Sequence, residues 1–531
     1  MKTVMLGLMA SVLLGCSGQS STNPASERVN SDSSMQSNEK HRPNFHFSPP
    51  ANWMNDPNGM VYYAGEYHLF YQYHPGSTIW GPMHWGHAVS KDMLNWQHLP
   101  VALYPDELGT IFSGSVVVDW ENTSGLGTKD NPPMVALFTY HDVAGEQAGT
   151  LDFQTQGLAF SLDKGRTWTK YSQNPVMKNP GLKDYRDPKV SWYAPQKKWI
   201  MALAQGDNIG FHSSKNLIDW QAESTFGEKI GAHGGVWECP DLLEMTITST
   251  GETKHVLLVS LVPGAPNGGS GTQYFVGDFD GSKFTVDPEF SERLEQKEAI
   301  WLDYGTDNYA GVTFSNVPDT DGRTLFMGWM NNWLYARDVP TDAWRGSMTT
   351  PRNLVLQETA LGPLLFSQPI TELHNISHQV AQLNNVEVSS DTDLSALLGP
   401  IEESHRVTMK VKRQGANTLS LDYKNNDELL SIRLDVNAGT VTIDRAKSGE
   451  TEFEEHFANQ QVGVIRAGLD TYSFDIIYDK ASIELFVNDG ELSMTALAFP
   501  STPYNEITFS ADGQALIEHI SLDNLTAQQA K

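Results

Sequence analysis

Apolar and polar positions alternate with a period of two through the C-terminal third of the chain. Val407, Met409 and Val411 fall on one side of a strand, with Thr408, Lys410 and Lys412 on the other. Ile432, Leu434 and Val436 alternate likewise, Asn437-Ala438-Gly439 turns the chain, and Val441 and Ile443 return. Ser482 to Val487 leads into the turn Asn488-Asp489-Gly490. This patterning predicts an antiparallel β-sandwich over 386–526. No catalytic-looking carboxylate cluster lies within it, so it is expected to pack on the preceding domain as a structural partner.

The first two thirds carry short strand-like runs and turns with no long helical stripe. Ser90-Lys91-Asp92-Met93-Leu94-Asn95-Trp96 matches Ser214-Lys215-Asn216-Leu217-Ile218-Asp219-Trp220 nearly position by position. Ser161 to Trp168 is a third copy, one residue longer, and Phe279 to Phe284 a weak fourth. Each follows an apolar run such as Trp85 to Val89. Repeats of this kind predict propeller blades, and about five blades of roughly 65 residues fill the stretch from Phe45 to Phe366. A sandwich with recurring turns is the alternative. The expected fold class is therefore all-β: a five-bladed β-propeller over 41–368, a linker over 369–385 containing a short helix or irregular segment, then the sandwich.

Lys2 and the apolar run Val4 to Leu14 read as an export signal over 1–15, too short to span a membrane. Leu13-Leu14-Gly15-Cys16 resembles a bacterial lipobox, which implies lipidation of Cys16 and an anchored protein of the outer membrane or periplasm in a Gram-negative host. Residues 16–40 are polar and read as a flexible tether. The other cysteine is Cys239, so with Cys16 acylated no intrachain disulfide forms. A formal charge of −28 over 531 residues argues against nucleic acid and anionic polysaccharides as partners; a neutral sugar polymer fits. Metal-ligand spacing is absent around His84, His87 and His98, so neither metal nor cofactor is expected.

The chemistry concentrates in three short motifs. Trp53-Met54-Asn55-Asp56-Pro57-Asn58-Gly59 sets an acid before a proline and a tight turn. Arg186-Asp187-Pro188 repeats the arrangement, and Glu238-Cys239-Pro240 places a longer acid two residues before another proline. Carboxylates fixed at strand-edge turns imply one converging site of the glycosidase type, in which one acid is ionised and another protonated. Taken singly, each of these acids is an ordinary surface carboxylate.

With Phe112-Ser113-Gly114-Ser115 between the first and second, these motifs stand in the order found in glycoside hydrolase family 32, which the chain resembles from about Phe45 onward. That family is the β-fructofuranosidase group of invertases, levanases and exo-inulinases. The resemblance implies a propeller followed by a sandwich, with Asp56 as nucleophile, Glu238 as general acid and then base, and Asp187 as a stabiliser of the transition state. It also implies a fructose pocket lined by Asn55, Gln72, Trp80, Phe112, Ser113, Arg186 and Trp333. Asp303, Asp307 and Tyr309 match the family's D-x-G-x-D-x-Y-A segment, with a structural role weighed equally against sugar contact. Cys239 is expected to be an inert packing residue. The stretches Trp80 to His87 and Gly328 to Met348 resemble levanases and exo-inulinases. The expected activity is thus a retaining exo-β-fructosidase on levan or inulin and on sucrose. A dedicated invertase or fructosyltransferase is the enzymatic alternative, and a non-catalytic fructan-binding lipoprotein the alternative of another class.

Overall fold

The computed structural model describes residues 39–526 apart from 298, 361, 389 and 390. The proposed export signal, Cys16 and the tether to residue 38 lie outside them. Five sheets, each with four antiparallel strands, follow one another in sequence; the first carries a fifth, parallel strand that comes from within the span of the last. Their first strands are Asn52–Tyr63, Thr110–Val118, Tyr185–Tyr193, Val236–Thr246 and Tyr309–Thr313. These five pack side by side around the axis and define blades I to V of a propeller. The ring closes between blades V and I through main-chain bonds, Tyr62 N to Ser315 O (2.9 Å) and Ser315 N to Met60 O (2.9 Å). The short strand Trp344–Arg345 also pairs in parallel with Asn52 and Trp53.

Apolar faces of neighbouring blades interdigitate. Val61, Phe70 and Trp85 of blade I pack against Ile111, Val116 and Phe138 of blade II, all fully buried. The sequence repeat marks the turn between the third and fourth strands of blades I to III. Its Ser and Asp or Asn side chains accept main-chain N–H groups, as Asp92 does from Leu94 and Asn95. The tryptophan ring N–H closes the turn onto Met93, Gly165 and Leu217 carbonyls at 2.9–3.0 Å. In blade IV the corresponding turn is held by Asp280 without a tryptophan.

Two six-stranded antiparallel sheets form the C-terminal sandwich, with Val407, Val411, Ile432, Leu434 and Val441 in its core. The linker expected over 369–385 is shorter. One 3-10 turn, Thr371–Asn375, leads directly into the strand Ser377–Val388, which pairs with Ala515–Leu525. That strand is mostly polar and solvent-facing, so alternation could not reveal it.

Buried charge joins the two domains. Arg352, fully buried, donates to Asp303 (2.8 Å) and to Glu484 of the sandwich (2.7 Å). His46 bridges Glu484 and Asp479, both at 2.8 Å. Arg445 of the sandwich reaches Asp307 at 2.7 Å. Asp303 and Asp307 therefore face the sandwich, and between them Gly305 lies so close that a Cβ would stand 2.1 Å from the Thr495 backbone.

Candidate active site

Every inner strand is interrupted by a β-bulge, and the candidate residues sit on these bulges. In blade I the register slips between Asn55 and Pro57, leaving Asp56 as the extra residue. In blade II it slips between Phe112 and Gly114, at Ser113. In blade III Arg186 and Lys189 flank the irregularity, which contains Asp187 and Pro188. In blade IV Glu238 and Asp241 flank Cys239 and Pro240, and in blade V Tyr309 and Val312 flank another. A bulge bends the strand and re-aims a side chain. Proline is tolerated there because the ladder bond it cannot donate is already missing. Asp187 (φ 65°) and Cys239 (φ 46°) adopt the left-handed conformation, held by the surrounding bonds.

Glu238 and Asp187 share one guanidinium, that of Arg186, and Asp56 lies near enough to both acids to feel their charge. Arg186 donates from Nη2 to Glu238 Oε1 and from Nη1 to Asp184, each at 2.7 Å. The Tyr309 hydroxyl donates to Glu238 Oε2. Asp187 accepts from the Cys239 N–H at 3.0 Å and its thiol at 3.6 Å, and its own N–H donates to Thr139 Oγ1 at 3.0 Å. Asp56 Oδ2 accepts from Ser113 Oγ at 3.4 Å, while Oδ1 has no partner.

Withdrawal from water and the like charge of Glu238 push Asp56 up to about 7. Asp187 is pushed up to about 6 by burial, with Arg186 opposing and Glu238 assisting. Burial, with nearby carboxylates, drives the Cys239 thiol well above its ordinary value, so it is a hydrogen-bond donor rather than a nucleophile.

The expected pocket residues surround this centre. Trp53 Nε1 donates to Asn55 Oδ1 at 2.7 Å, and Gln72 pairs with Asn55 in the sheet with its Nε2 buried and unpartnered. Half-buried Trp333 stacks on Trp53 (5.8 Å, 23°). Trp80 meets Phe112 edge-on at 6.1 Å, and Phe112 stacks on His141 at 4.2 Å. Both tryptophans keep part of their rings open to solvent. Of the D-x-G-x-D-x-Y-A segment, only Tyr309 reaches the acids. The sequence motifs do not single out Thr139 or Asp184; Asp184 stands in the bend just before the strand that starts at Tyr185, two residues ahead of Arg186.

Acids and an arginine set on the inner strands of a five-bladed propeller, with aromatic walls, define a glycoside hydrolase. Residues 46–369 match the glycosyl hydrolases family 32 N-terminal domain and 372–528 the glycosyl hydrolases family 32 C terminal domain. A levanase of Bacillus subtilis is 44% identical over 92% of this chain and 71% of its own length. The crystal structure of exo-inulinase from Aspergillus awamori superposes with a TM-score of 0.83 at 33% identity, covering 92% of this chain and 99% of that one. A β-fructofuranosidase from Schwanniomyces occidentalis, complexed with fructosyl-erythritol, gives 0.81 at 31% identity over 93% and 99%. The chain belongs to glycosyl hydrolase family 32.

Proposed function

We propose that the protein is an exo-acting, retaining β-fructosidase that removes terminal fructosyl units from fructans and cleaves sucrose. The clustering of Asp56, Asp187 and Glu238, the last two beside Arg186, carries this reading, and the levanase and exo-inulinase relatives support the substrate class. Asp56 Oδ1, free of any hydrogen bond, attacks C2 of the terminal fructose. The C2–O bond to the leaving sugar breaks as Glu238 delivers its proton to that oxygen. Water then attacks C2, gives its proton to Glu238, and Asp56 departs, so configuration is retained. Asp187, oriented by Cys239, accepts hydroxyls of the ring and stabilises positive charge spreading onto it. Asn55, Gln72, Ser113 and the rings of Trp80, Phe112 and Trp333 bind the remaining fructose surface; the unpaired Gln72 Nε2 is a ready donor for a sugar hydroxyl.

The protein is exported, in keeping with its extracellular relatives. Lipidation of Cys16 would hold it at a membrane; Cys16→Ser is then expected to yield an unlipidated or unprocessed protein, and unlipidated wild type would rule the anchor out. The direct test of function is product analysis of purified protein on levan, inulin and sucrose. Monomeric fructose is the expected first product. Release of larger oligosaccharides first, or no release, overturns the exo reading.

A further inference from the structure

The inner strands do not end at the acids; they continue to the opposite opening of the propeller. There a cavity of about 480 Å³ is lined by segments of blades II to V that follow Ser113, Asp187, Glu238 and Tyr309 along their strands. Its volume falls in the range of about 300–1,000 Å³ usual for small-ligand sites. Two large aromatic rings on it are open to solvent: Trp120 is 53% exposed and Trp192 40%. Neither is loose. Trp120 donates its ring N–H to Asn316 Oδ1 at 2.9 Å, and Trp192 packs edge-on against Trp199 at 4.9 Å. Each is thereby fixed with much of its ring facing solvent.

At the floor lies Asp241, fully buried, three residues beyond Glu238. Its Oδ2 accepts from Lys189 (2.9 Å) and from Thr313 N (2.7 Å) and Oγ1 (2.8 Å), while Oδ1 has no partner in the protein. The carboxylate and ammonium neutralise each other, leaving acceptors and donors without net charge at the floor. Glu121 and Glu244 line the same cavity and repel anions. Fixed indole faces above a neutral set of hydrogen-bonding groups suit a polyhydroxylated ligand, whose C–H faces lie on the rings and whose hydroxyls meet the polar groups.

We infer that this far opening is a second, non-catalytic saccharide site that holds a segment of neutral fructan chain. This rests on the reading of the protein as a fructan hydrolase. The site raises the local concentration of polymer ends near the enzyme, so it acts on long substrates and not on sucrose.

The test is affinity electrophoresis of the full chain through gels containing levan or inulin, in an Asp56→Ala background so that the matrix survives. Trp120→Ala/Trp192→Ala is expected to weaken retention at least fivefold. In the wild-type background the same pair is expected to raise KM for the polymer severalfold and leave sucrose turnover within twofold. Trp192→Ala alone, which spares the Trp120–Asn316 bond, serves if the double variant melts early. Unchanged retention overturns the inference, as does an equal loss of sucrose turnover, which would make the rings supports of the fold. Failure of the wild type to release fructose would remove the proposed activity and leave retention to decide the second site.

Discussion

Removing the Arg186 guanidinium tests how the acids are set against one another. Its Nη2 stands 2.7 Å from Glu238 Oε1, and it opposes the upward push on Asp187. With charge centres roughly 4 Å apart and an effective dielectric near 20, the attraction is about 4 kcal/mol, an upper bound that relaxation reduces. Half of that surviving amounts to about 1.5 pH units. In Arg186→Met, Asp187 loses the charge that opposes its protonation and keeps its proton to higher pH, so the acidic limb of the pH profile of kcat/KM should move alkaline by about 1–2 units. Loss of a charge-assisted bond to the acid, worth about 1.5–3 kcal/mol, should also lower kcat about 10- to 150-fold. The assay is fructose release from sucrose between pH 4 and 9, alongside thermal melting, because leaving buried carboxylates without their cation also destabilises the fold. A profile that loses height without moving would refute the electrostatic argument; Arg186 would then be only a geometric clamp.

Tyr309→Phe removes the hydroxyl bonded to Glu238 Oε2 and should cut kcat about tenfold with little change in melting temperature, as steady-state kinetics would reveal. The domain junction should respond to pH through His46, pushed up to about 9 from 6.5 by Asp479 and Glu484 although burial opposes this. A folded value above the unfolded one stabilises fully below pH 6.5 and is lost as pH rises through 9, about 3 kcal/mol in all. Glu484, held down at about 2 against 4.5 by Arg352 and His46 although burial opposes this, stabilises above 4.5 and loses its contribution as pH falls toward 2. Melting temperature should therefore peak near pH 5–6, and His46→Leu should flatten its alkaline decline. Gly305→Ala drives a methyl into the Thr495 backbone; differential scanning calorimetry should show a clear loss of stability, while KM of the protein that remains folded is unchanged.

The fold class and the three acids were legible because their signals are local. A carboxylate beside a proline marks a strand that must break its ladder, and Ser-x-Asp with a downstream Trp marks a closed hairpin turn. The ring of five bulges was not legible as a ring. Ser113 and Tyr309 have no adjacent proline, and only closure of the propeller sets them level with Asp56 and Glu238. For Asp303 and Asp307 a structural role and sugar contact weighed equally in the sequence, since their partners, Arg352 and Arg445, stand far along the chain and belong partly to another domain. The strand Ser377–Val388 escaped notice because an edge exposed to water imposes no apolar alternation.

The central claim, that Asp56 forms a bond to fructose while Glu238 handles the proton, is tested most directly by trapping the intermediate. A Glu238→Ala protein mixed with a fructosyl fluoride needs no acid to expel the leaving group but lacks the base that activates water. Quenched and digested for mass spectrometry, it is predicted to carry one fructosyl ester on the peptide containing Asp56. An unmodified Asp56 peptide, or a label on Asp187, would contradict the account.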